Sequence, residues 1–185
     1  MKYAGTQISI NIGAATVRDH ANGAAALEDM YDAYAPSLYR YALSILGSPD
    51  DAEDAVQEVF IRLARECGRL RGIRNIRAYV LTATRNAAYS ILRARRRSDS
   101  LTEALCGNPS PSVFRTDGFP VQHTMLREAL AELPVEQREV LVLKAFEGMT
   151  FREIADMVGA SISTITSRYQ YGIAKLRRAL EDQDG

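Results

Sequence analysis

Thr150-Phe151-Arg152-Glu153-Ile154-Ala155-Asp156-Met157-Val158-Gly159-Ala160-Ser161-Ile162-Ser163-Thr164-Ile165-Thr166-Ser167-Arg168-Tyr169-Gln170-Tyr171-Gly172-Ile173-Ala174-Lys175 decides how this chain folds. Thr150 followed three residues later by Glu153 is a capping box, in which each side chain satisfies a backbone N–H at the start of a helix. Ile154, Ala155 and Val158 give that short helix one apolar face. Gly159 permits a sharp turn, and Ser161 can cap a second helix. On the second helix, Ile162, Ile165, Tyr169, Ile173 and Leu176 recur at helical spacing and form an inward stripe. Thr164, Ser167, Arg168, Tyr171 and Lys175 fall opposite, flanked by Ser163, Thr166 and Gln170. This outward face carries hydroxyls, amides and cations but no acid. Two short helices across a tight turn, with such a face on the second, form a helix-turn-helix whose second helix suits a major groove. The same pattern also fits a plain helical hairpin with a polar outer side.

Working outward, helical periodicity prevails along the whole chain, and the expected class is all-α. Helix-rich blocks at 24–97 and 122–182 flank a stretch, 98–121, containing Gly107, Pro109, Pro111, Gly118 and Pro120. Those residues break helices, so 98–121 reads as an inter-domain linker. Residues 1–23 stand apart as an N-terminal extension, disordered or regulatory. Within the first block, Ala24–Leu46 reads as helical and ends at Gly47-Ser48-Pro49. A second helix starts at Pro49-Asp50-Asp51, with acids at the positive end of its dipole, and closes at Gly68. Its apolar face is Ala52, Ala55, Val56, Val59, Phe60 and Leu63. A long helix follows from Asn75 to Arg97. In the second block, one helix carries Leu126, Leu130 and Leu133 up to Pro134, and another carries Val140, Leu141, Leu143 and Phe146 up to Gly148.

The formal net charge is zero, yet the charges are segregated. Gly68–Ser98 holds nine Arg and no acid, whereas Asp50–Glu58 holds five acids and no base. On the long helix, Arg85, Tyr89, Arg93 and Arg96 follow one another at near-turn spacing, beside Arg77, Arg95 and Arg97. Guanidinium forks suit phosphate, and Tyr79 and Tyr89 offer aromatic faces on which unpaired bases stack. The face therefore fits single-stranded or melted DNA, or else a solvated basic helix paired with the acidic one before it. On that acidic helix, Asp51, Asp54 and Glu58 lie along one side with Glu53 and Gln57 nearby. Carboxylates alone do not make an acid–base pair: no His, nucleophile motif or ligand spacing accompanies them, so neither a catalytic site nor a metal site is expected. The choice left open is a solvated face or a dock for a basic protein. Cys67 and Cys106 stand alone and read as free thiols of a cytoplasmic protein. No apolar run reaches the roughly 18–20 residues that would span a bilayer, and residues 1–23 lack a secretory apolar core.

Taken in order, these elements resemble an extracytoplasmic-function bacterial sigma factor. Asp50-Asp51-Ala52-Glu53-Asp54-Ala55-Val56-Gln57-Glu58-Val59-Phe60 looks like that family's polymerase-binding motif. Thr84-Arg85-Asn86 is similar to the signature before its promoter-melting surface. Leu133-Pro134, Gln137-Arg138-Glu139-Val140, Gly148-Met149-Thr150, Glu153-Ile154-Ala155 and Ser167-Arg168 resemble its C-terminal DNA-binding domain. The matches span about Ala24–Arg97 and Gln122–Leu180. The resemblance implies that Asp51, Glu53, Asp54, Gln57, Glu58 and Phe60 bind core RNA polymerase at the clamp helices of its largest subunit. Arg74, Asn75, Arg77, Tyr79, Arg85, Asn86, Tyr89, Arg93 and Arg96 would melt and read the minus-ten element. Arg152, Ser161, Ser163, Thr164, Thr166, Ser167, Arg168, Gln170, Tyr171 and Lys175 would read the minus-thirty-five element as duplex. The linker would thread the polymerase channels, and the flap of the second-largest subunit is a further implied contact. No cofactor is implied. Many relatives are held inactive by an anti-sigma factor, and no residue here identifies one. Ser90 stands where the family often has Asp, and Tyr79 where it usually has Trp, which bears on promoter sequence rather than on class. A free-standing helix-turn-helix regulator, binding a palindrome as a dimer without polymerase, is the alternative; a helical adaptor or an enzyme fits less of the chain.

Overall fold

The computed structural model describes residues 23–66, 73–106 and 124–181. Among them are seven helices: α1 (Gly23–Leu46), α2 (Pro49–Arg65), α3 (Ile76–Cys106), α4 (Thr124–Ala131), α5 (Val135–Ala145), α6 (Phe151–Val158) and α7 (Ile162–Glu181). No strand occurs among the described residues, as the periodicity predicts.

Helices α1, α2 and α3 pack together, α7 packs on α4, α5 and α6, and α5 also lies against α1. The second half of α1 is consequently enclosed, and Tyr41–Gly47 are buried without interruption. Its uninterrupted Tyr-Ala-Leu-Ser-Ile-Leu run fits a helix with no solvent side. The one hydroxyl there, on Ser44, donates to the Tyr41 carbonyl at 2.6 Å. Gly47 adopts φ 65°, the left-handed stop that glycine accepts without strain. Ser48 then caps α2, accepting from the Asp51 N–H at 3.4 Å, with Pro49 at the first helical position. The six apolar residues expected to face inward from α2 are all buried.

Helix ends differ from the sequence reading: α4 stops at Ala131, short of Leu133, α5 stops at Ala145, short of Phe146, and two ends in the first block also shift. Helix α2 ends at Arg65, with Glu66 closing it onto the Arg62 and Leu63 carbonyls; Gly68 lies outside the described residues. Helix α3 runs past Arg97 to Cys106, into what reads as linker. Ser98–Cys106 contains no Pro or Gly, so nothing before Gly107 forces the helix to stop. The remainder of the expected linker and residues 1–22 lie outside the described residues.

In the second block, α5 buries six consecutive residues, Arg138–Leu143, because α1 covers one side and α7 the other. Arg138 serves as a cap for a neighbour. Its Nη1 donates to the carbonyls of Leu130, Ala131 and Leu133 at 3.0–3.3 Å, satisfying the end of α4. Its Nε donates to the Ser44 carbonyl at the end of α1. Burial pulls the Arg138 guanidinium down to about 10, still protonated at neutral pH.

The candidate nucleic-acid and polymerase interfaces

The helix-turn-helix forms as the sequence implies. The Thr150 hydroxyl accepts from the Glu153 N–H at 3.2 Å, and Glu153 accepts from the Thr150 N–H at 2.7 Å. The Thr150 hydroxyl also donates to the Glu153 carboxylate at 2.8 Å, and the backbone donor first and this hydroxyl second hold the Glu153 carboxyl below its usual value. Gly159 turns the chain at φ 71°, and Ala155 accepts from both the Gly159 and Ala160 N–H groups. Ser161 accepts from the Thr164 N–H at 3.1 Å and starts α7. Phe151 meets Tyr169 edge-on at 5.3 Å, fixing α6 against α7. Gly172 faces α5 so closely that an added Cβ would lie 2.9 Å from Leu141 Cδ1.

Ser161, Ser163, Thr164, Ser167, Gln170, Tyr171 and Lys175 are exposed, as is Arg152 on α6; Thr166 and Arg168 are half-buried. Tyr171 is 65% exposed, so a large ring stands free on the outer face. One member of the inward stripe is misplaced by the periodicity: Ile162 is 44% exposed, because it occupies the first turn, ahead of the helix's contact with its neighbours. Ile165 is fully buried, and Tyr169, Ile173 and Leu176 pack at the margin of the core.

On α2, Glu53, Asp54, Gln57 and Glu58 are exposed, and Glu58 pairs with Arg62 one turn on at 3.0 Å. Two members of the expected docking set behave differently. Phe60 is buried and packs on Tyr31 with ring centroids 4.8 Å apart, because its place in the helical repeat is on the apolar face. Asp51 is partly buried and ion-paired with Arg95 of α3. The acidic and basic helices thus pair through Asp51 and Arg95, while Glu53, Asp54 and Glu58 are exposed.

The basic helix is divided. Asn75 caps α3, accepting from the Ala78 N–H at 3.0 Å, and Arg74, Asn86, Arg93 and Arg96 are exposed. Thr84 is buried and donates to the Val80 carbonyl. Tyr79 is half-buried against the core. Arg77, Arg85 and Tyr89, expected to face DNA, are turned onto acids of the second block instead. Glu139 of α5, with no exposed surface, accepts from the Tyr41 hydroxyl at 2.7 Å, Arg85 Nε at 2.8 Å and the Tyr89 hydroxyl at 2.9 Å. Arg85 also stacks over the Tyr89 ring at 4.5 Å. Glu147, after α5, accepts from Ser37 at 2.6 Å and from Arg77 Nη2 at 2.8 Å, with Arg40 at 3.9 Å. Burial first, and then the adjacent Glu139 charge, push the Tyr41 and Tyr89 phenols above their usual values. For Arg85 burial works downward, but the Glu139 charge and hydrogen bond outweigh it and the net shift is upward.

Sequence reasoning placed Glu139 within a motif but gave it no role. Its signal was an acid set directly before the unbroken apolar run Val140–Leu143, where only a paired carboxylate is tolerated. No cluster of three or more His, Cys, Asp or Glu with metal-binding geometry occurs among the described residues. No described helix is long and apolar enough to cross a membrane.

The described residues, all helices and short connections, bring together an acidic outward helix, an arginine-rich helix and a helix-turn-helix, and the family matches make this a transcription factor of the sigma type. Residues 30–98 match sigma-70 region 2, and residues 123–176 match sigma-70, region 4. Over 159 residues the chain is 31% identical to the ECF RNA polymerase sigma factor EcfG of Rhodopseudomonas palustris, covering 83% of this chain and 84% of that one. It is 32% identical over 162 residues to the ECF RNA polymerase sigma factor SigL of Mycobacterium tuberculosis, covering 86% and 91%. Among solved structures, the fold matches sigma factor RpoE in its co-crystal with the anti-sigma factor NepR from Bartonella quintana. That likeness has a TM-score of 0.68 and 23% identity, over 84% of this chain and 97% of that one. It also matches CnrH in complex with the cytosolic domain of CnrY, with a TM-score of 0.59 and 25% identity, over 89% and 96%. The chain belongs to the extracytoplasmic-function family of RNA polymerase sigma factors, proteins of promoter-specific transcription initiation.

Proposed function

We propose that this sigma factor works through three separate surfaces and contributes binding rather than a reaction of its own. Glu53, Asp54, Gln57 and Glu58 of α2 dock on a basic surface of core RNA polymerase, in the cytoplasm. Asp51 and Phe60 set the pitch of that helix from beneath, through Arg95 and Tyr31. Helix α3 receives the melted minus-ten element on Arg74, Asn86, Arg93 and Arg96, joined by Arg77, Arg85 and Tyr89 once the second block has moved off them. Helix α7 enters the major groove of the minus-thirty-five element. Its short hydroxyls, Ser161, Ser163 and Thr164, meet the DNA backbone, while Arg168, Gln170, Tyr171 and Lys175 reach base edges or phosphates. Residues 24–97 and 122–182 are the two working domains. The observation that carries this reading is the acid-free outer face of α7, raised on a fully capped helix-turn-helix. An anti-sigma protein is a further partner, in keeping with the RpoE and CnrH complexes.

Reconstitution tests the assignment. Core polymerase mixed with this protein should bind it tightly, and Asp54→Arg should abolish that binding while leaving the helical signal intact, since Asp54 is exposed. Unchanged affinity for polymerase would reduce the acidic side of α2 to a solvated face.

A further inference from the structure

Tyr171 is the most exposed tyrosine among the described residues, at 65%, and its ring stands clear of the core. Tyr169, two positions earlier, is tucked edge-on against Phe151. A water-facing helix position is served better by Lys, Gln or Glu, whose helix propensity is higher than that of tyrosine. Neither packing nor propensity therefore accounts for a tyrosine here. The backbone beneath the ring is firmly seated. Gly172, the next residue, brings α7 so close to α5 that an added Cβ would lie 2.9 Å from Leu141 Cδ1. Ser161 caps the start of the same helix. The ring is thus projected outward from a rigid base.

Thr164, Arg168 and Lys175 share its side of the helix. At 1.5 Å per residue, Arg168 sits about 4.5 Å before Tyr171 along the axis and Lys175 about 6 Å beyond it. Hydroxyl, guanidinium and ammonium groups suit phosphate oxygens and the acceptors on base edges. An aromatic ring set among them has a different complement. Paired bases in a duplex offer it no face for stacking, and phosphates offer only charged oxygen. In the major groove the C5 methyl of thymine is the apolar group on the base edges. Cytosine presents an amino donor instead, which an acid would meet best, and this face of α7 carries no acid. We infer that Tyr171 reads a thymine methyl in the minus-thirty-five element and so selects thymine over cytosine at one position. The inference rests on the minus-thirty-five reading of α7, and it names what one side chain of that helix recognises.

The test uses holoenzyme assembled from the full chain and core RNA polymerase, bound to the promoter it selects from a randomised library. Each thymine of the upstream element, on either strand, is replaced in turn by uracil, which pairs alike and lacks only the methyl. At one position uracil should weaken binding about threefold to fivefold, the worth of one buried methyl. Tyr171→Ala should weaken binding to the thymine promoter by at least that factor and should bind the thymine and uracil forms equally. Tyr171→Phe should keep the discrimination, since the ring and not its hydroxyl makes the contact. The salt dependence of binding should be the same for Tyr171→Ala as for the parent, because no phosphate contact is lost. The ring is exposed, so both variants should fold as the parent does. Uracil tolerated at every position, an upstream element without thymine, or Tyr171→Phe as weak as Tyr171→Ala would overturn the methyl contact and leave the minus-thirty-five reading standing. Full affinity in Tyr171→Ala beside a weakened Arg168→Ala would do the same. Full affinity in both variants, whatever the upstream sequence, would overturn that reading of α7 and the inference with it.

Discussion

Gly172→Val sets two effects against each other, and the structure decides between them. Gly172 lies inside α7, where glycine costs about 1 kcal/mol relative to alanine, so propensity alone says that any ordinary residue should stabilise the helix. The crossing with α5 says the reverse. An added Cβ would stand 2.9 Å from Leu141 Cδ1, 3.3 Å from Leu141 Cγ and 3.6 Å from Gln137 Cβ. Leu141 has little room to yield, because it is 4% exposed and sits in a run of buried neighbours. Overpacking of this kind costs about 1–3 kcal/mol. Alanine recovers about 1 kcal/mol of propensity against that cost, so Gly172→Ala should fall between neutral and a loss of about 2 kcal/mol. Valine regains less propensity and adds two methyl groups, so Gly172→Val should lose about 2 kcal/mol or more. Urea unfolding followed by circular dichroism measures both. A gain of about 1 kcal/mol for alanine, with valine neutral, would show that propensity rules here and that α5 and α7 are not in such close contact.

Three further outcomes follow from the same geometry. Arg168→Ala should weaken minus-thirty-five binding in the polymerase complex by about 1–3 kcal/mol if its contact is bidentate to a base, whereas an equal loss on every sequence would assign Arg168 to phosphate alone. Thr150→Ala should destabilise the fold by about 1 kcal/mol through loss of the cap; an unchanged unfolding midpoint would show the capping box to be dispensable. Carboxyl titration by NMR should place Glu153 below the usual glutamate value. A carboxylate depressed in the folded state stabilises above its unfolded value, so that contribution should be present at neutral pH and fade as acid is added through the depressed value. A Glu153 titrating at or above the usual value would contradict the capping geometry.

Local chemistry made much of the architecture legible. The stops at Gly47 and Gly159, the capping box at Thr150 and the inward face of α2 each depend on residues within a few positions of one another, so spacing is enough to place them. The end of α3 was not legible because helix breakers mark where a helix must end, not where it does; Ser98–Cys106 holds none and stays helical. Ile162 shows the limit of single-helix periodicity: a residue of the apolar stripe is exposed by its place in the first turn. Phe60, although part of the acidic motif, is buried as its helical phase predicts. The engagement of Arg77, Arg85 and Tyr89 was out of reach for a different reason. Their partners Glu147 and Glu139 lie 70, 54 and 50 residues away, and no local pattern states which of two blocks an acid will face. An acid next to a four-residue apolar run was the available hint, since burial there demands a partner from elsewhere in the chain.

Run-off transcription with core RNA polymerase on a randomised promoter library tests the central claim most directly. With the protein present, transcripts should begin at fixed distances downstream of a shared two-part motif. Changes in its upstream part should be sensed through α7 and changes in its downstream part through α3. Loss of this initiation in Asp54→Arg would tie it to the α2 surface. Random starts at the same level with and without the protein, alongside tight binding of a palindromic duplex by the protein alone, would contradict the account and favour a free-standing helix-turn-helix regulator.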